Sequence, residues 1–96
     1  MAWQIKFDDA SIKDLAKVDK PAARRPPPAA RRITSFLRER VALLDDPRSI
    51  GEALKGSKRG ELWKYRVGDY RIISSIEDGA LLILVVRIGN RKVVYR

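Results

Sequence analysis

The 96-residue sequence contains neither cysteine nor histidine. Without cysteine, the protein has no disulfide framework and no thiol nucleophile. Without histidine, it lacks the usual general base and the most common metal ligand. Any acid–base chemistry at neutral pH would therefore have to come from other side chains.

Long apolar runs and clustered carboxylates are also missing. The longest apolar run, residues 80–86, is far too short to cross a membrane, and the N-terminus lacks the apolar segment of a signal peptide. We therefore expect a cytoplasmic protein with no membrane partner. The acidic residues of the C-terminal part are scattered over predicted strand ends and turns, at Glu61, Asp69, Glu77 and Asp78. Because two-metal chemistry needs clustered carboxylates, we predict no metal and no other cofactor.

Positive charge is abundant and unevenly distributed. The chain has 21 Lys and Arg against 12 Asp and Glu, a net charge of +9. Residues 1–54 carry a net charge of +3, and residues 55–96 carry +6. A clustered excess predicts an anionic partner such as a nucleic acid, whereas the alternative is a solvated surface that is simply basic. The length and the 45% hydrophobic content predict one domain, residues 1–96, with one modest core.

The first half of the chain predicts one strand followed by two helices. Residues 2–7 alternate in the manner of a short strand. The first helix ends near Lys20; its candidate N-caps are Asp8, Asp9 and Ser11, and its apolar positions are Ile12, Leu15 and Ala16. The second helix begins near Pro28 and ends at the Asp45-Asp46-Pro47 stretch. Its apolar stripe, with a period of 3.6 residues, is Ile33, Phe36, Leu37, Val41 and Leu44.

The second half predicts a loop at residues 51–60 and then a meander of three strands. The predicted strands are residues 62–67, 70–76 and 80–88, separated by Gly68-Asp69 and by a turn containing Asp78-Gly79. The last strand is apolar without alternation, as expected for a central strand that is covered on both faces. The sequence thus predicts an α+β fold of order β-α-α-β-β-β, in which a two-helix hairpin packs on a mainly antiparallel four-stranded sheet.

A pair of arginines is the most informative feature of the predicted hairpin. If Gly68-Asp69 is a two-residue turn, Arg66 lies directly opposite Arg71, and Lys64 shares their face of the sheet. Like charges placed opposite each other destabilise a hairpin, so a bound phosphate between them would explain the arrangement. The alternative is that both arginines extend into water at little cost. Arg91, Lys92 and Tyr95 follow the last strand. Together with Lys64, Arg66 and Arg71 they would form a basic patch that contains no carboxylate.

The stretch LWKYRVGDYRIISSIEDGALLILVVRIGNRKVVYR resembles the RelE/ParE toxin superfamily of toxin–antitoxin systems. The upstream stretches IKDLAKVDK, ITSFLRERVALLDDPRS and ALKGSKRGELWKYRVGDYR fit the same pattern, so the resemblance covers nearly the whole chain. Its most specific part is WKYRVGDYR, followed about twenty residues later by G-x-R-K-x-x-Y. The RelE branch implies a microbial RNase fold and cleavage of mRNA in the ribosomal A site. The ParE branch implies inhibition of DNA gyrase.

The resemblance also implies which residues carry the activity. The catalytic set matched to RelE-type ribonucleases is Lys64, Arg66, Arg71, Arg91 and Tyr95. Further RNA-binding cations are Lys55, Lys58, Arg59 and Lys92. Because ParE-type toxins generally lack the complete catalytic set, the match favours RNA cleavage. It also implies a cognate antitoxin, together with the ribosome and mRNA, as partners.

Two alternatives to a ribonuclease stay open at this point. The first is a gyrase inhibitor of the ParE type, which would bind a protein and have no chemistry of its own. The second is an RNA-binding member of the fold with weakened catalysis. It is suggested by Asn90, where many relatives have histidine, and by Ser74, where an aromatic residue is common.

Cleavage without histidine requires another general base. A surrounding positive charge lowers the pKa of both a phenol and an ammonium, which makes Tyr95 or Lys64 a plausible base for the attacking 2′-hydroxyl. The general acid would be a lysine or a water molecule, because an arginine stays protonated.

A tandem repeat interrupts the connection between the two predicted helices. The motif PAARR occurs at residues 21–25 and again at residues 28–32. Removing seven residues would leave KPAARRITSFLRERV, an ordinary tight connection. We therefore interpret residues 21–27 as an inserted basic, proline-containing loop, most simply a tolerated length variant. The alternative is a basic arm that contacts ribosomal RNA.

Overall fold

The computed structural model describes residues 2–18, 29–54 and 62–90. In these ranges it contains two helices, α1 (Asp9–Val18) and α2 (Ala29–Glu39), and five strands. The strands are β1 (Gln4–Phe7), β2 (Glu52–Leu54), β3 (Leu62–Val67), β4 (Tyr70–Glu77) and β5 (Leu82–Asn90). They form one sheet in the order β1-β5-β4-β3-β2, with β1 parallel to β5 and all other neighbours antiparallel. The predicted α+β architecture is confirmed, although the sheet has five strands and not four.

The additional strand is β2, which the sequence predicted as part of a loop. It pairs with β3 through only three residues, and Glu52 is the register partner of Lys64. Gly51, with a φ of +81°, turns the chain into this strand. A Cβ atom at Gly51 would lie 2.5 Å from the carbonyl oxygen of Lys64, so only glycine allows this close approach.

Helix α1 begins as predicted but presents a different face to the sheet. The backbone N–H of Ser11 donates to the Asp8 carboxylate at 2.9 Å, which makes Asp8 the N-cap. The buried positions are Ser11 and Val18, whereas Ile12 is 53% exposed and Ala16 is exposed. The predicted apolar face was therefore wrong at Ile12 and at Ala16.

The orientation of α1 follows from a polar contact with β5. The pairing of β1 with β5 ends at Val85, and the backbone N–H of Ile88 lies beyond it. The Asp14 carboxylate accepts from this N–H at 2.9 Å and from Arg87 Nε at 2.8 Å. Because a buried backbone donor requires an acceptor, Asp14 turns towards the sheet edge where β1 no longer pairs.

Helix α2 is shorter than predicted. Ile33 and Leu37 are fully buried, as the apolar stripe indicated, but the helix ends at Glu39 and does not continue to Asp45. The stripe continues into a 3₁₀ turn, Val41–Leu43, in which Val41 is fully buried. The 3₁₀ turn keeps Val41 in the core while the chain changes direction. None of the described helices is long and apolar enough to cross a membrane.

Apolar side chains cover both faces of the sheet. The larger cluster, between the helices and the sheet, contains Trp3, Val18, Ile33, Leu37, Val41, Ala42, Tyr65, Ile72, Ile83, Val85 and Ile88. Within it, the Tyr65 hydroxyl donates to the Pro47 carbonyl oxygen at 2.6 Å. A smaller cluster on the opposite face contains Leu62, Ile73 and Val86, with Leu54 and Leu84 packed against it.

The two hairpin turns differ in how well the sequence predicts them. At Gly68-Asp69 the two-residue turn is confirmed, since Val67 pairs with Tyr70 and Gly68 has a φ of +58°. The second turn is longer than predicted: a 3₁₀ turn, Asp78–Ala80, is followed by Leu81 in the left-handed region, and β5 begins only at Leu82. The positive φ is therefore at Leu81 and not at the glycine. The predicted insertion, residues 21–27, lies outside the described residues.

Candidate nucleic-acid interface

Three of the predicted site residues lie together on one face of the β3–β4 hairpin. Side chains alternate along β3, so Lys64 and Arg66 point away from the face on which Tyr65 is buried under the helices. Arg71 is the register partner of Arg66 across β3 and β4, as the two-residue turn predicted. We use the name basic face for the surface formed by Lys64, Arg66 and Arg71.

The two arginines of the basic face have different environments. Arg66 is exposed, whereas Arg71 is only 6% exposed. Within the described ranges, Nε of Arg71 is buried and has no hydrogen-bond partner. A buried polar group without a partner is costly, and it is more costly when the group is charged. The alternative that both arginines extend into water therefore holds for Arg66 and is wrong for Arg71.

A carboxylate also lies on the basic face, contrary to the prediction. Glu52 on β2 is in register with Lys64, and Glu52 Oε1 lies 2.7 Å from Lys64 Nζ. The hydrogen bond from Lys64 lowers the pKa of the Glu52 carboxyl, and the charges of Arg66 and Arg71 lower it further. The sequence did not reveal Glu52 because a strand of three residues has too little alternation to be recognised.

The Glu52 contact changes the role that Lys64 can have. A carboxylate within hydrogen-bond distance favours the charged ammonium over the neutral amine that a general base would require. The Lys64 side chain is also only 14% exposed. Lys64 is therefore better suited to hold a positive charge in place than to accept a proton.

Ser74, one of the departures from the family pattern, lies away from the basic face. It pairs with Trp63 on β3 and with Val85 on β5, and it is fully buried on the helix side of the sheet. Its hydroxyl oxygen has no hydrogen-bond partner within the described part of the chain. The exchange of a common aromatic residue for Ser74 therefore concerns the packing of the core and not the charges of the basic face.

The other predicted site residues lie outside the described ranges. They are Lys55, Lys58, Arg59, Arg91, Lys92 and Tyr95. Strand β5 ends at Asn90, whose register partner is Tyr70, and the preceding Gly89 pairs with Arg71. The last described residue therefore lies at the same end of the sheet as the arginine pair. Among the described residues, no group of three or more Asp or Glu side chains could hold a metal ion.

Comparison with known proteins identifies the family. The sequence model for the ParE toxin of the type II toxin–antitoxin system parDE matches residues 5–95. The chain belongs to this ParE toxin family. It is 26% identical over 92 residues to a RelE-like toxin protein of Escherichia coli, and the match covers 96% of this chain and 86% of that protein. The chain is thus a RelE-like toxin of a type II toxin–antitoxin system.

Solved structures of RelE proteins share the fold of this ParE-family toxin. The RelBE2 toxin–antitoxin complex of Mycobacterium tuberculosis contains a chain with a TM-score of 0.74 and 20% identity, covering 95% of this chain and 93% of that chain. The archaeal RelE–RelB complex of Pyrococcus horikoshii contains one with a TM-score of 0.66 and 25% identity, covering 95% and 97%. Two helices on a mainly antiparallel sheet are therefore the shared framework on which the basic face lies.

Proposed function

We propose that this toxin is a ribosome-dependent endoribonuclease, active in the cytoplasm, that cleaves mRNA in the ribosomal A site and so inhibits translation. The observation that carries the proposal is the Arg66–Arg71 pair, placed in register on the sheet face away from the helices. Two opposed guanidiniums are unfavourable by themselves, and a phosphodiester between them would remove the repulsion. The resemblance of the sequence to RelE-type ribonucleases favours RNA as the source of that phosphodiester.

Cleavage would proceed by attack of the RNA's own 2′-hydroxyl on the adjacent phosphorus. As the proton leaves the 2′-oxygen, the new P–O2′ bond forms, the P–O5′ bond breaks and the 5′-oxygen gains a proton. The products are a cyclic 2′,3′-phosphate and a free 5′-hydroxyl. This route needs a base, an acid and charge stabilisation at phosphorus, and none of these requires a metal.

The basic face would supply the charge stabilisation. Arg71 is held in place by burial, and the charge of its guanidinium would act on the phosphate. Its Nε–H is buried and has no hydrogen-bond partner among the described residues. Arg66 and Arg91 would hold the other oxygens, and Lys64 would add a fixed positive charge. Because Glu52 favours the charged form of Lys64, we propose Tyr95 as the general base. Lysine or water would protonate the 5′-oxygen.

The ribosome would provide what this small site lacks. Flexible RNA must be held with its 2′-oxygen in line with the scissile bond, and such positioning is a large part of catalysis. The cations Lys55, Lys58, Arg59 and Lys92 would contact the RNA backbone. We place residues 1–96 in one toxin domain that docks on the ribosome as a unit.

A cognate antitoxin would control this activity. The solved relative from Mycobacterium tuberculosis is a toxin–antitoxin complex, and that from Pyrococcus horikoshii is a RelE–RelB complex. For this chain we propose an antitoxin whose acidic or amphipathic segment covers the basic face. Such a segment would place carboxylates where the phosphodiester otherwise binds.

Brief expression of the toxin, followed by mapping of mRNA ends, tests the proposal. Cuts in phase with codons, confined to translated messages, are expected. The Arg66→Ala variant should lose most of these cuts, whereas Arg38→Ala, which removes an exposed cation of helix α2, should keep them. Intact mRNA accompanied by DNA damage would indicate gyrase inhibition. Intact mRNA with RNA binding alone would indicate a member of the fold without catalysis.

A further inference from the structure

The Glu52 carboxylate lies at a position that an anion would take on the basic face. Glu52 and Lys64 are register partners, so both side chains project from the same side of the sheet as Arg66. Oε1 of Glu52 lies 2.7 Å from Lys64 Nζ, and the Glu52 side chain is 63% exposed whereas that of Lys64 is 14% exposed. Incoming RNA therefore meets the carboxylate before it meets this ammonium.

The carboxylate also interacts with the rest of the basic face. The pKa of Glu52 is lowered by Lys64 first and then by the charges of Arg66 and Arg71. All three cations therefore stabilise the negative charge of Glu52. A phosphate bound at the arginine pair would in turn be repelled by it.

We propose that Glu52 is an affinity-determining residue that competes with the phosphates of single-stranded RNA for Lys64. This inference rests on the proposed function for the identity of the ligand. The carboxylate of this ion pair is largely exposed to water, which weakens the pair, so RNA presented in a fixed geometry can displace the carboxylate. Free RNA has no such advantage and binds less tightly. Glu52 thereby weakens the binding of any RNA that the ribosome does not hold in place.

Fluorescence anisotropy with a labelled single-stranded RNA that is 2′-O-methylated throughout tests this inference. The methylated RNA cannot be cleaved, so the measurement reports binding alone. The Glu52→Gln variant keeps the shape and an acceptor oxygen but removes the charge. One additional phosphate contact should steepen the slope of log affinity against log salt by about 0.7, which corresponds to roughly five-fold tighter binding at about 0.1 M salt.

A matched control separates local competition from net charge. Glu39→Gln makes the same change in charge at the exposed end of α2 and should leave the affinity close to that of the parent. In the Glu52→Gln background, Lys64→Met should abolish the gain. Lys64→Gln serves as a second variant, and thermal melts establish that each protein is folded.

Three results would overturn the inference. They are a gain for Glu52→Gln that is absent or no larger than that for Glu39→Gln, a gain that persists without Lys64, and the absence of RNA binding in every variant. The proposed function is tested separately by ribosome-dependent cleavage. A toxin that fails to cleave but shows the Glu52 effect would refute the ribonuclease and leave the competition intact. Cleavage without the Glu52 effect would refute the competition and leave the ribonuclease intact.

Discussion

Arg66 and Arg71 are register partners across β3 and β4, yet Arg71 is 6% exposed and Arg66 is exposed. The pair therefore combines an exposed cation with a cation whose position is fixed by its surroundings. Burial of a guanidinium whose Nε–H has no partner in the described part of the chain opposes folding unless an anion completes its contacts. This arrangement is better explained by ligand binding than by stability.

We expect Arg71→Met to separate these two roles. Methionine keeps much of the buried stem and removes the charge, so the free energy of unfolding should be unchanged or should rise by up to about 1–4 kcal/mol. Toxicity should fall sharply because a phosphate contact is lost. Arg71→Ala should instead lower stability by roughly 0.5–3 kcal/mol, since it also removes the packing of the stem. Thermal melts and a growth assay measure both effects, and a much less stable Arg71→Met protein would assign the residue a structural role.

Gly51 and Gly79 form a matched pair for testing β2. Gly51→Ala places a Cβ at a φ of +81° and within 2.5 Å of the Lys64 carbonyl oxygen, so a loss of about 1–3 kcal/mol is expected. Gly79→Ala meets no atom within 4 Å and should be close to neutral. Urea unfolding of the two variants gives the comparison. Equal stability would mean that the turn before β2 relaxes easily and that Glu52 is not held in register with Lys64.

The hydroxyl of Tyr95 can be tested apart from its ring. If the phenolate accepts the 2′-hydroxyl proton, Tyr95→Phe should slow the chemical step by about 10²–10⁴-fold. If the ring only stacks on a base, worth roughly 1–3 kcal/mol, Tyr95→Phe should cleave almost normally and Tyr95→Ala should fail. Single-turnover cleavage on programmed ribosomes distinguishes the two. A Tyr95→Phe rate within a few-fold of the parent would mean that a lysine is the general base. Lys92 is then the better candidate, because Glu52 favours the charged form of Lys64.

The inserted repeat should be dispensable. Removing Pro21–Pro27 keeps one PAARR motif ahead of α2, and surface loops tolerate such changes in length at little cost. We expect thermal stability and toxicity close to those of the parent. Loss of mRNA cleavage by a variant that still folds would instead show that the repeat contributes to binding on the ribosome.

Tyr65 should make stability dependent on pH in alkaline solution. Burial raises the pKa of its hydroxyl above the ordinary value, so the folded protein holds this proton more tightly than the unfolded chain. The contribution is fully present below about pH 10 and is lost as the pH rises towards the folded-state pKa, by up to about 1.4 kcal/mol per pH unit. Urea unfolding from about pH 8 to about pH 11 measures this loss.

The Tyr65→Phe variant is the control for this pH dependence. It should be less stable at neutral pH by roughly 1–3 kcal/mol, because the Pro47 carbonyl oxygen loses its donor at 2.6 Å. Its stability should also fall less steeply above about pH 10 than that of the parent, because it lacks the Tyr65 hydroxyl. A residual fall is expected because lysines titrate in both proteins. Identical slopes would show that Tyr65 ionises as easily in the folded state as in the unfolded chain.

The β3–β4 hairpin was determined by the local sequence. Gly68 supplies the positive φ of a two-residue turn, and the alternation of side chains then places Arg66 opposite Arg71. The N-cap at Asp8 and the buried stripe of α2 at Ile33 and Leu37 are also encoded by neighbours along the chain. In each case the interacting residues are only a few positions apart, so the pattern contains the contact.

The tertiary structure alone decided the features that depend on distant partners. Strand β2 is too short to form by itself and exists because the edge of β3 offers hydrogen bonds, which brings Glu52 to Lys64. The orientation of α1 was set by the need of the Ile88 N–H for an acceptor, and this need arises only where β1 ends. A periodic pattern shows which side chains are apolar, but it does not show which backbone groups the finished sheet leaves unpaired. Those unpaired groups decided which face α1 buried and where a carboxylate entered the basic face.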